Sequence, residues 1–210
     1  MFDITLHQII VADDGSTDAT SRIAETFASI LPVTVVRLPQ NRGKGAAVRA
    51  GMRLITGEYG LIYDADGAAP ITEVTKLFTA LREQGADIAI GSRVLGRSEG
   101  IVTMRRYRRF IGRTYHALCS LLVPGIQDTA CGCKLFKRDV AQTLFRLQRI
   151  DRFSFDVEVL AIALRQGYKI VEVPLQWAAI PESKVRLVRD GLQMFWCLVT
   201  LYARRMMGRL

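Results

Sequence analysis

Three short segments of this sequence carry polar residues whose types and spacing point to chemistry rather than to solvation. Asp64-Ala65-Asp66 places two carboxylates one residue apart, directly after an apolar run. Carboxylate oxygens are hard donors, so the pair suits Mg2+ or Mn2+, which would bridge it to a pyrophosphate. Taken alone, an Asp-x-Asp reads as readily as an Asp-rich turn; beside the other two segments the metal reading is favoured. Asp13-Asp14-Gly15-Ser16-Thr17-Asp18 contains the residue types that cap a helix N-terminus. Two adjacent carboxylates before a glycine exceed what a cap needs, and they suit hydrogen bonding to a base or ribose. In Asn41-Arg42-Gly43-Lys44-Gly45 the glycines permit close backbone approach, and Lys44 would meet a phosphate at a helix N-terminus. The segment is not a Walker motif, because it lacks the leading glycine and the Ser or Thr after the lysine.

The surrounding residues define elements that set these segments along one rim. Residues 8–12 are β-prone and end on Asp13, and 17–27 carry apolar residues at helical spacing. Residues 33–38 read as a strand, 45–55 as a helix, 59–63 as a strand that runs into Asp64, 71–83 as a helix and 87–90 as a strand. Such alternation predicts an α/β fold with a mostly parallel sheet and covering helices, in which ligands bind beyond the carboxyl ends of the strands. Helices are expected from Arg138 and over 155–166, and a strand over 169–173. At 210 residues a single domain is expected, over 1–183, followed by a basic amphipathic helical segment over 184–210.

Composition narrows the partners. A formal charge of +9 implies a polyanionic one: nucleic acid, an anionic membrane or a phosphorylated substrate. Residues 104–122 interleave Arg105, Arg106, Arg108, Arg109 and Arg113 with apolar residues, in the manner of a basic amphipathic helix. Leu192, Met194, Phe195, Trp196, Leu198, Val199, Leu201 and Tyr202, with Arg186, Arg189, Arg204 and Arg205 around them, suit an interfacial helix, although the same stripe could pack on the domain or a partner. No segment reaches the roughly 20 apolar residues of a membrane span, and the N-terminus does not read as a secretory signal. The cysteines Cys119, Cys131, Cys133 and Cys197 lack the spacing of a zinc site and read as reduced thiols. His7 and His116 lie in no motif and read as structural.

In this order, Val11-Ala12-Asp13-Asp14-Gly15-Ser16-Thr17-Asp18, Asn41-Arg42-Gly43-Lys44-Gly45 and Asp64-Ala65-Asp66-Gly67 are joined by Gly91-Ser92-Arg93, Asp128-Thr129-Ala130-Cys131-Gly132, Phe155-Asp156-Val157-Glu158, Glu172-Val173-Pro174 and Ser183-Lys184. Over nearly the whole chain this set resembles the inverting family 2 glycosyltransferases of the GT-A fold, most of all the dolichyl-phosphate β-glucosyltransferases and their polyprenyl-phosphate relatives. The resemblance implies that Asp13 and Asp14 meet the nucleoside, that Asp64 and Asp66 hold metal and donor diphosphate, and that Lys44 lies near the nucleotide. It implies Arg93 and Lys184 near phosphates at the reaction centre, with Asp66, Arg93 and Lys184 the catalytic set. The family's first strand, ending in Pro-x-Tyr-Asn-Glu, has no counterpart before His7, and Cys133 and Glu182 depart from the usual pattern.

A phosphate monoester acceptor needs no general base, since its second pKa of about 6 leaves an anionic oxygen near neutrality. It needs cations, which Arg93, Arg105, Arg106 and Arg109 can supply. The expectation is therefore transfer of glucose from a UDP-sugar donor to a polyprenyl phosphate. Each basic residue near an anionic surface contributes about 1 kcal/mol, so the enzyme would sit at the membrane surface, on the cytoplasmic face of the plasma membrane in a bacterium or the endoplasmic reticulum in a eukaryote. The competing readings are a GDP-mannose-dependent enzyme, an inactive fragment lacking the first strand, and a basic protein that binds nucleic acid or membrane. Nucleic acid is not expected as a partner, and a homo-oligomer is left open.

Overall fold

Period-two alternation and helical spacing build the layers of this protein. The computed structural model describes residues 4–98, 115, 117–178 and 187–208. In chain order the elements are β1 (Ile9–Asp13), α1 (Thr20–Thr26), β2 (Val33–Arg37), α2 (Lys44–Met52), β3 (Tyr59–Tyr63), α3 (Val74–Glu83), β4 (Ile88–Ser92), α4 (Arg93–Ser98), β5 (Cys133–Lys137), α5 (Arg138–Leu147), α6 (Phe155–Arg165), β6 (Ile170–Pro174) and α7 (Leu187–Met206). Single turns of 3-10 helix cover Phe27–Ser29 and Ile71–Glu73.

Strands β1 and β2 pair in parallel, while β3, β5, β4 and β6 form a second sheet in that spatial order. In the second sheet β4 and β6 are parallel, and β5 runs against both β3 and β4. Three of its four strands therefore share a direction, as a mostly parallel α/β sheet requires. The reversed strand β5 was not among the elements expected from the sequence. Its run Cys-Lys-Leu-Phe-Lys sets charge inside an apolar stretch and masks the alternation.

Alternate residues of these strands feed two cores. Ile88, Ile90 and Phe136 face one side, with Val140, Leu144, Leu160 and Ile162 of α5 and α6. Ala89, Cys133 and Leu135 face the other, with Leu77 and Leu81 of α3. Helix α7 docks on the first core through Leu198 and Leu201, and Arg204 pairs with the fully buried Glu158 of α6.

The two sheets are joined through α2 rather than by strand pairing. Gly51 of α2 lies against Ile10 and Ala12 of β1, and Met52 lies against Gly60 of β3. At the start of these strands His7 Nε2 is 3.2 Å from Thr56 Oγ1. Among the described residues, β1 has no strand partner besides β2, and β3 none besides β5. The expected basic helix over 104–122 falls mostly outside the described residues, as do Arg105, Arg106, Arg109, His116 and Lys184.

Candidate active site

The carboxyl ends of β1, β3, β4 and β6 and the starting end of the reversed β5 carry the chemistry-bearing side chains. After β1, Asp13 is buried; it accepts from Ser16 N at 2.8 Å and also from Ser21 Oγ. These bonds hold its carboxyl below the usual carboxylate range, against the opposing effect of burial. Asp14 accepts from the backbone N–H groups of Arg42, at 2.8 Å, and Gly43, at 2.7 Å. The Asp-Asp pair thus ties the end of β1 to the loop that opens α2.

That loop turns at Gly43, whose φ of 119° lies where side chains are strained, and a Cβ there would fall 2.7 Å from Asp151 O. Lys44 is consequently the first residue of α2 and reaches across to Asp64, with Nζ 2.6 Å from Oδ1 and 2.8 Å from Oδ2. Asp64 is further confined from behind. Its backbone N–H donates to Gly132 O at 3.0 Å, and a Cβ on Gly132 would lie 2.0 Å from Asp64 Oδ2. Asp66 is exposed, with Oδ1 accepting Ala68 N–H at 3.0 Å in an Asx turn.

Arg93 follows β4 and is gripped by the buried Asp128. The backbone N of Arg93 donates to Oδ2 at 2.9 Å, Nε to Oδ2 at 2.7 Å and Nη2 to Oδ1 at 2.8 Å. Burial works to raise the Asp128 carboxyl and to lower Arg93, but their mutual attraction outweighs it and both stay charged. Glu172 of β6 fixes the segment that carries Asp128, accepting from Gln127 N at 2.7 Å and Asp128 N at 2.9 Å. The Arg93 guanidinium also lies 5.5 Å from the ring centroid of Trp177. Beneath this layer the fully buried Lys134 donates to Asp156 Oδ1 at 2.5 Å and to Cys131 O.

The rim therefore brings together Lys44, Asp64, Asp66 and Arg93, while Asp13 and Asp14 stand one element away, at the end of β1. Sequence reasoning assigns no role to Asp128, Lys134, Asp156 or Trp177, although Asp128 and Asp156 lie within motifs that carry the resemblance. Their signal was a polar residue of matching sign in another motif, and the pairings join residues 35 and 22 positions apart. Cys131 and Cys133 are free, buried thiols against α3, and burial pushes Cys133 up to about 12, so neither serves as a thiolate at neutral pH. Among the described residues no group of three or more His, Cys, Asp or Glu side chains forms a metal cage. The Asp66 carboxylate is open to solvent and that of Asp64 is half-buried and engaged by Lys44; such oxygen donors suit an ion of the magnesium type, which would complete its shell with phosphate oxygens and water.

A Rossmann-like sheet with paired carboxylates beyond one strand, a lysine at a helix N-terminus beside them and a half-buried arginine at the next strand defines a glycosyltransferase of the GT-A architecture. Residues 3–145 match the model of the family described as "Glycosyl transferase family 2", and the chain belongs to that family. A dolichyl-phosphate beta-glucosyltransferase of Saccharomyces cerevisiae is 33% identical over 219 residues, which is 96% of this chain and 66% of its own length. The protein of that name from Mus musculus is 38% identical over 211 residues, 96% of this chain and 65% of its own. Across such relatives the chain spans between 55% and 66% of their length. Among solved structures, glucosyl-3-phosphoglycerate synthase of Mycobacterium tuberculosis in complex with Mn2+, UDP and glucosyl-3-phosphoglycerate superposes with a TM-score of 0.66 at 19% identity, over 94% of this chain and 68% of that one. A mannosyltransferase of Pyrobaculum calidifontis, in complex with GDP-Man and Mn2+, gives 0.57 at 20% identity, over 84% of this chain and 48% of that one. At these identities the structures establish the shared fold.

Proposed function

We propose that the protein transfers glucose from UDP-glucose to a polyprenyl phosphate, producing a β-linked lipid-phosphate sugar. The observation that carries this reading is the convergence of Asp64, Lys44 and Arg93 on one rim, in a chain similar over 96% of its length to dolichyl-phosphate beta-glucosyltransferases. Asp64 and Asp66 would hold a divalent ion against the donor diphosphate, and when bound that ion neutralises the charge of the departing UDP. Lys44 adds a cation at the N-terminus of α2, where the helix dipole also favours phosphate. Asp13 and Asp14 order the loops at the nucleoside end. Arg93, joined by Arg105, Arg106, Arg109 and Lys184, receives the acceptor phosphate.

One acceptor oxygen attacks the anomeric carbon, the bond from that carbon to the UDP oxygen breaks, and no proton has to be removed from the nucleophile. Residues 1–183 form the transferase domain and 184–210 an interfacial segment. Among the described residues no helix is long and apolar enough to cross a membrane. Leu192, Phe195, Trp196 and Val199 are exposed on α7 on a different side from the docked Leu198 and Leu201, which supports peripheral contact with the bilayer's cytoplasmic surface.

The deciding experiment is transfer of radiolabelled glucose from UDP-glucose to a polyprenyl phosphate, with Mn2+ or Mg2+ and with a chelator. Expected are metal-dependent product and a loss of about a hundredfold or more for Asp66→Asn, the scale of removing one electrostatic element of a transfer site. Near-normal turnover by Asp66→Asn would overturn the metal assignment. Transfer of mannose from GDP-mannose in place of glucose would reassign the donor, and transfer of neither sugar would overturn the proposed reaction.

A further inference from the structure

Arg93 is held from two directions. A guanidinium has five N–H bonds in one plane, and Asp128 takes one from Nε and one from Nη2. The other three have no acceptor among the described residues. Arg93 Cζ also lies over the Trp177 ring, 5.5 Å from its centroid. Both holders are themselves fixed. Asp128 is anchored through Glu172, and the residue after Trp177 donates Ala178 N–H to Ala68 O at 2.8 Å, two residues beyond Asp66. Through Trp177, Arg93 is thus tied to the rim that carries the carboxylate pair.

We infer that Trp177 is a positioning residue for phosphate recognition: stacked on Arg93, and with Asp128 locking the opposite side, it aims the remaining guanidinium edge at the acceptor phosphate. This assignment rests on the reading of the acceptor as a phosphate monoester. Moving the guanidinium away would give up the indole contact and break two charge-assisted bonds to Asp128. An arginine held in this way presents one orientation to an anionic oxygen, so little ordering remains to be done on binding.

The test is calorimetric binding of farnesyl phosphate to the full chain, beside binding of UDP in the presence of Mn2+ and of inorganic phosphate. Trp177→Leu should weaken farnesyl phosphate about tenfold, the scale of a lost cation–π contact in a desolvated setting, while UDP affinity holds. Trp177→Phe keeps an aromatic face and should recover most of the loss. Inorganic phosphate weakened in parallel would assign the effect to the head group, as inferred. Equal farnesyl phosphate affinity in wild type and Trp177→Leu overturns the inference, as does a loss confined to UDP, which would put Arg93 on the donor. A wild type that binds farnesyl phosphate and transfers no glucose would sink the proposed reaction and leave the comparison of the variants to judge Trp177.

Discussion

Gly132 makes room for Asp64, and that contact joins backbone geometry to ligand chemistry. A methyl group at this position would occupy the space of the Asp64 carboxylate, whose free end can rotate aside without disturbing the strands. Gly132→Ala should therefore fold with little change in melting temperature and bind UDP–Mn2+ about tenfold more weakly or worse, as expected for a displaced metal ligand. Calorimetric titration checks it, and unchanged affinity would refute the role given to the glycine. Asp128 makes a second prediction. Its carboxyl is held low in the fold by Arg93 in spite of burial, as that of Asp151 is by Arg49 and Arg42. A depressed folded pKa contributes stability that is present above the unfolded value of about 3.9 and is lost as pH falls through the folded value. The urea midpoint should thus be level near neutrality and fall below about pH 4. Asp128→Asn, which leaves Arg93 without its counter-charge, should cost about 3–5 kcal/mol at pH 7, with the gap to wild type narrowing in acid.

Elements differed in how far the sequence could disclose them. The sequence predicts β3 at its observed limits because the apolar run Tyr59–Tyr63 stops on the carboxylate of Asp64. β5 escapes the sequence reading because its second residue is Lys134, and only Asp156, on a different element, makes that burial tolerable. α3 is shorter than the expected 71–83 because its first turn is the 3-10 helix Ile71–Glu73, which continues the apolar pattern, and α1 begins at Thr20 rather than at residue 17. The partners of Arg93 were invisible for a related reason: Asp128 and Trp177 meet it only once β4, β5 and β6 lie side by side. α7 shows both alternatives weighed for it, one stripe docked and another open. Leu201 belongs to the docked stripe and is fully buried, so Leu201→Ala should destabilise the chain by about 2–5 kcal/mol in urea unfolding. Trp196→Ala, on the exposed stripe, should leave that transition in place.

As a whole molecule, the protein is two sheets held against a shared helix. The motifs of family 2 were legible in order along the chain, because each is a short loop whose residues are contiguous. The separation of β1–β2 from the other four strands is not legible in the sequence, because strand pairing is decided by contacts between distant segments. Among the described residues, β1 pairs along one side with β2 and β3 along one side with β5, and no strand takes up the other side of either. Such edges act as templates for extended segments of other molecules. Concentrating this chain should therefore favour self-association through β-ribbon growth, a propensity that any segment completing the sheet would suppress.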